Sequence, residues 1–122
     1  MTPQEFITKI RQVVCQSAIT GTLAIIRKPP GRKPPENLVL LSQWFEKLSD
    51  TDKKNLEKVV AIATHQTTFG LLAVIDGVRQ IEDTPLKGTL ELHYKKDAKS
   101  VLLNTPNSEY LHNLFNQQMP LI

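Results

Sequence analysis

The spacing of apolar residues changes once, near Gly77, and that change constrains the fold more than any other feature of the chain. Before Gly77, apolar side chains return every three or four residues, the period of a helix. After it, Thr89 to Lys95 alternates one for one: Leu90, Leu92 and Tyr94 point one way, and Thr89, Glu91, His93 and Lys95 the other. Helices followed by strands rather than interleaved with them imply an α+β domain, here about four helices packed on a small antiparallel sheet.

The local signals place the elements. Thr2, Pro3 and Glu5 have the spacing of a capping box with proline at the first helical position, and Gly21 offers a stop. Phe6, Ile10, Val13, Val14, Ser17 and Ala18 would form the buried face of this first helix, with Cys15 buried or half-buried beside it. Leu23 to Ile26 reads as a short strand or a frayed helix end. A second helix starts at Glu36 and carries Leu38, Leu41, Phe45 and Leu48 on one stripe. Ser49 and Asp52 cap a third, longest helix that runs to Asp76, and its FGLLAVI end is apolar nearly all round. Val78 to Glu82 is a candidate third strand beside the hairpin 89–95/99–103, whose turn is Lys96-Asp97-Ala98-Lys99. Thr105 and Pro106 would open a last helix lined by Tyr110, Leu111, Leu114 and Phe115.

A chain of 122 residues fits one domain, 1–122, interrupted by a proline-rich basic loop at 27–36. Its mass of 13.8 kDa corresponds to about 6,600 Å² of exposed surface when compactly folded. One cysteine excludes an internal disulfide framework and a thiolate-rich zinc site. The opening residues carry Glu5, Lys9 and Arg11 where a signal peptide needs an apolar run, and Phe69 to Ile75 is too short to span a bilayer; a cytoplasmic location without membrane attachment is expected.

No phosphate-binding loop, dinucleotide fingerprint, calcium loop, HExxH or nucleophile elbow is present, so no cofactor and no metal are implied. The three histidines, His65, His93 and His112, fall on different elements, and each reads most simply as a surface or half-buried residue. Two polar groups stand out. Asp76 and Arg79 flank Gly77 directly after the apolar helix end, with Glu82 close by. One reading has them line a small-molecule or enzyme site; the plainer reading is that Asp76 and Arg79 pair to close the helix-to-strand junction. Arg27, Lys28, Arg32 and Lys33 cluster in the proline loop and can meet phosphates by charge. Residues 1–61 carry a net charge of +4 and residues 62–122 a net of −1, so positive charge gathers in the half that holds this loop. The loop lacks interleaved aromatics, which weakens a nucleic-acid reading. Without a catalytic constellation, and with an all-round apolar helix end and open sheet edges, the leading expectation is a non-catalytic interaction or adaptor protein, a homodimer or the partner of another protein.

FGLLAVIDGVRQIEDTPLKGTLELHY, followed by LLNTPNSEYLHNLF, resembles a group of small uncharacterised bacterial proteins in which an apolar helix runs into an LDGVR turn, a KGxLEL strand and an LHDLF-type end. The matching residues are Ile75 to Arg79, Lys87 to Leu92 and Leu111 to Phe115, roughly the C-terminal half. The resemblance implies no activity, cofactor or catalytic residue.

Overall fold

The computed structural model describes residues 1–121. It is α+β: four helical rods and one two-stranded antiparallel sheet. The first rod runs from Pro3 to Arg27 as helix α1 (Pro3–Lys9), a π-helical turn (Ile10–Cys15) and helix α2 (Gln16–Arg27). Helix α3 spans Glu36–Glu46, α4 Asp50–Ile75 and α5 Leu111–Gln118. Strands β1 (His93–Lys96) and β2 (Lys99–Leu102) pair with His93 opposite Leu102 and Lys96 opposite Lys99.

Both anticipated caps form. Thr2 and Glu5 make a reciprocal capping box, and the Ser49 hydroxyl accepts from the Asp52 amide. Helix α4 ends where Gly77 turns left-handed at φ 77°. There the amide of Val78 donates to the Ala73 carbonyl and that of Gly77 to the Val74 carbonyl, a Schellman closure that needs a residue tolerant of positive φ.

Other expectations are corrected. Gly21 does not stop the first helix, and Leu23 to Ile26 is helical to its end. The expected buried face holds for Phe6 and Ile10, which pack on the core, and Cys15 is buried as expected, but the face shifts from Val13 onward: Val13 and Val14 are 65% and 48% exposed, and Ser17 and Ala18 are exposed as well. The π turn is the reason. The Gln16 amide bonds to the Arg11 carbonyl five residues back, which inserts an extra residue and rotates the following side chains relative to an α-helix. Among the described residues no third strand forms: 78–82 is irregular and exposed, and the hairpin pairs over 93–96 and 99–102 within the longer expected span. Thr105 and Pro106 make a separate turn, in which the Thr105 hydroxyl accepts from Asn107. Helix α5 begins five residues after Pro106.

The main core gathers Ile7, Cys15, Leu72, Leu111, Leu114 and Phe115, where α1, the π turn, the C-terminal half of α4 and α5 meet. At the opposite end, where α2, α3 and the start of α4 pack, only Leu23 and Phe45 are buried.

Candidate functional site

The Schellman closure turns the chain sharply away from α4, and 78–91 folds back without regular structure. The Asn104 side chain ties the two ends of this segment together. Asn104 Nδ2 donates to the carbonyls of Ile75 and Leu90, and its Oδ1 accepts from the Leu92 amide, all at 2.8–2.9 Å. One amide thus satisfies three backbone groups that have no ladder partner. Between the pinned segment and the end of α4 lies a cavity of about 470 Å³, within the range of small-ligand sites. Asp76, Arg79, Glu82, Lys87 and Tyr110 line it, together with the apolar side chains of Val74, Ile75, Ile81 and Leu90. The three candidate polar residues are therefore brought together.

Asp76 and Arg79 do not pair. The Asp76 side chain is 1% exposed, and its Oδ2 accepts from both the amide and Nδ1 of His112, at 2.9 and 2.6 Å. A carboxylate can only accept, so Nδ1 of His112 carries the proton in this bond. The same oxygen supplies the N-terminal cap of α5 that Thr105 was expected to provide. Oδ1 of Asp76 is buried with no hydrogen-bond partner among the described residues. The Arg79 guanidinium instead lies against α4 at Gly70, where a Cβ would collide with Nη1. The absence of a side chain at Gly70 makes room for this arginine.

His65 and His112 are buried on either side of Phe69. The His65 ring stacks on Phe69 at 5.7 Å, and the His112 ring meets Phe69 edge-on at 5.3 Å and stacks on Tyr110 at 5.2 Å. His65 also reaches Asn116 through Nε2. His65 and His112 are thus buried, against the expectation of surface or half-buried positions; the His65/Phe69 spacing of four is the one hint in the sequence, while the His112 pairing spans 36 residues. An aspartate-oriented histidine is the arrangement general bases use, but no hydroxyl or thiol bonds to His112 among the described residues. Cys15 contacts Thr68 instead. His93 is exposed and pairs with Glu91. Among the described residues no His/Cys/Asp/Glu group has a metal-binding arrangement.

The basic loop is less free than its composition suggests. Arg27 pairs with Glu57 on α4 at 2.9 Å and lies over the Phe45 ring at 5.9 Å. Lys28, Arg32 and Lys33 are exposed. A second basic group, Lys95, Lys96 and Lys99, surrounds the hairpin turn.

No protein-family model matches the chain, and no curated protein or solved structure matches it either.

Proposed function

We propose that this chain is a non-catalytic interaction protein that works as a homodimer in the cytoplasm. Its exposed area carries the reading. The folded chain exposes 8,879 Å², about a third more than the roughly 6,600 Å² of a compact monomer of this mass. The surplus, on the order of 2,000 Å², is what one subunit of an obligate dimer gives up. Part of the exposed apolar surface lies at the end with little core: Leu40, Leu41 and Trp44 on α3 are 54%, 44% and 48% exposed, and Val59 on α4 is 59% exposed. Positions 40, 41 and 44 share one helix face, so α3 presents a continuous apolar stripe. A two-fold contact of this face with itself is isologous and closes, which leaves no open stripe behind.

A lipid surface is the competing cover, because α4 has the length and mean hydropathy (1.4) of a membrane span and only 22% of that stretch is buried. The exposed side of α4, however, interleaves Lys58, Gln66 and Thr67 with Val59 and Leu71, a mixture that suits protein or water better than hydrocarbon. Nucleic acid is the weaker alternative, since Arg27 is engaged by Glu57 and three loop cations remain; log affinity would then fall with log salt no more steeply than about −3 on duplex DNA.

Sedimentation equilibrium at tens of micromolar tests the proposal. The expected result is a dimer that Trp44→Asp converts to a folded monomer. A wild-type monomer at that concentration overturns it.

A further inference from the structure

The hairpin is a ribbon with an open edge on each side. Its strands pack chiefly on each other, and apart from half-buried Tyr94 and Leu102 the ladder is exposed. The register fixes which backbone groups are spare. The two-residue turn Asp97-Ala98 closes on Lys96 and Lys99 as a hydrogen-bonded pair, and at the other end Leu103 donates to the Leu92 carbonyl at 2.8 Å. Bonded and unbonded pairs alternate in an antiparallel ladder, so His93 and Lys95 turn their amides and carbonyls away from β2. Both residues are exposed, and these groups have no protein partner among the described residues.

Charge singles out the same edge. Lys95, Lys96 and Lys99 form no ion pair among the described residues, and neither strand holds a carboxylate. Lys96 and Lys99 stand directly opposite each other, a like-charge pair that costs stability. Glu91 is spent on His93, and Asp97 lies in the turn outside the ladder, so uncompensated charge gathers at the turn end of β1. Lysine on an open edge hinders pairing with another copy of that edge. A second ribbon would bring the same lysines again and no ladder carboxylate. The same charges favour a strand that is acidic.

We infer that the outer edge of β1 takes up an extended acidic segment of another protein as a third strand. The outward groups of His93 and Lys95 supply its backbone hydrogen bonds, and the lysines select its side chains. Opposite Lys95 and Lys96 the segment carries two adjacent carboxylates, one on each face of the ribbon. The one opposite Lys96 shares a face with Lys99 and offsets the like-charge pair. Tyr94 is on that face too, two residues from Lys96, and calls for an apolar side chain opposite it. The inference rests on the reading of this chain as an interaction protein and names a partner for it, at residues other than the α3 stripe.

Titration of the full chain with the capped peptide Thr-Val-Glu-Glu-Val-Thr, followed by amide NMR shifts, tests the edge. The amides of His93 and Lys95 are expected to move most. Replacing both glutamates by glutamine should weaken binding about fivefold, the loss of two cross-strand charge pairs. N-methylation of both glutamates keeps their charge, blocks the backbone bonds, and should weaken binding about tenfold. Lys95 and Lys96 are exposed, so the double variant Lys95→Glu, Lys96→Glu keeps the fold; it should reject this peptide and accept the one with lysines in place of glutamates. No shift at about 1 mM peptide overturns the inference, as does equal binding of the N-methylated peptide, which would leave charge alone. A short DNA duplex that moves the same lysines at lower concentration and equal salt also overturns it and assigns them to phosphates. Trp44→Asp should bind the peptide as wild type does, so this test and the dimer test fail separately.

Discussion

The two ends of the helical body are built from similar residues and buried to different extents. Where α1, the π turn, α5 and the end of α4 meet, Ile7, Cys15, Leu111 and Phe115 are fully enclosed. Where α2, α3 and the start of α4 meet, Phe45 and Leu23 are covered while Leu40, Leu41 and Trp44 face out. Composition does not separate the two ends; the number of layers does. Helix α5 returns over α4 and α1 at the first end and completes a second layer, whereas among the described residues α3 packs chiefly on α2 and no later element lies over it as α5 lies over α4. The first end is a finished core, and the second has one side left to cover.

The comparison predicts its largest effect at the finished end. Phe115→Ala removes a ring with no exposed surface that touches the His65 ring at 5.2 Å, and should cost about 3–5 kcal/mol in urea unfolding. Leu41→Ala, at the other end, should cost under about 0.5 kcal/mol at concentrations where the protein is monomeric. Equal losses at the two sites would mean that the ends do not differ in the way described.

Asn104→Ala comes next. It leaves the Ile75 and Leu90 carbonyls and the Leu92 amide without their partner, and at about 1 kcal/mol per bond should cost about 2–3 kcal/mol. Hydrogen exchange locates the effect: Leu92 should lose protection while the amides around Ile7 keep theirs. A uniform loss of protection would show that the irregular segment and the core unfold as one unit.

Asn104 also marks the limit of what the sequence discloses. Caps at Thr2 and Ser49, the stop at Gly77 and the hairpin across Asp97-Ala98 were legible because each is decided within a few residues. The chemistry around Asp76 was not, because its partner lies on another helix and nothing near Asp76 names it. The stretch 78–82 looks like a strand in isolation, yet it starts at the Schellman closure, where the amides of Val78 and Arg79 both bond back to the Ala73 carbonyl, and it pairs with no strand. Gly21 misled for the opposite reason: no other atom lies close enough to meet a Cβ there, and α2 continues through it at a propensity cost of about 1 kcal/mol. The candidate trio Asp76, Arg79 and Glu82 could be chosen from their clustering, but their roles required the fold.

Ala98→Gly should raise stability by about 1 kcal/mol. Asp97 and Ala98 both adopt positive φ, 51° and 62°, in the two-residue turn that joins β1 to β2, and such turns favour glycine at the second position. A higher urea midpoint with an unchanged slope is the expected result. No change would mean that the hairpin opens before the rest unfolds and contributes nothing to global stability.

The smallest effect tests the open end most directly. Arg27 and Glu57 are 54% and 43% exposed, so their pair is screened by water and should contribute about 0.5 kcal/mol or less in a double-mutant cycle on the monomer. Arg27 nevertheless lies over Phe45, one of the few buried residues of that end, and Lys53 approaches the same ring at 5.1 Å. These long side chains act as a partial lid on an end without a second helical layer. If a second copy packs against α3, the lid is enclosed and the dielectric around the pair falls, so the coupling between Arg27 and Glu57 should increase with protein concentration across the dimer transition. The cycle Arg27→Ala, Glu57→Gln, measured by unfolding at one and at one hundred micromolar, reads that difference. A coupling energy that is the same at both concentrations would place the dimer contact away from this end, and Leu40, Leu41 and Trp44 would then be surface residues in the assembly.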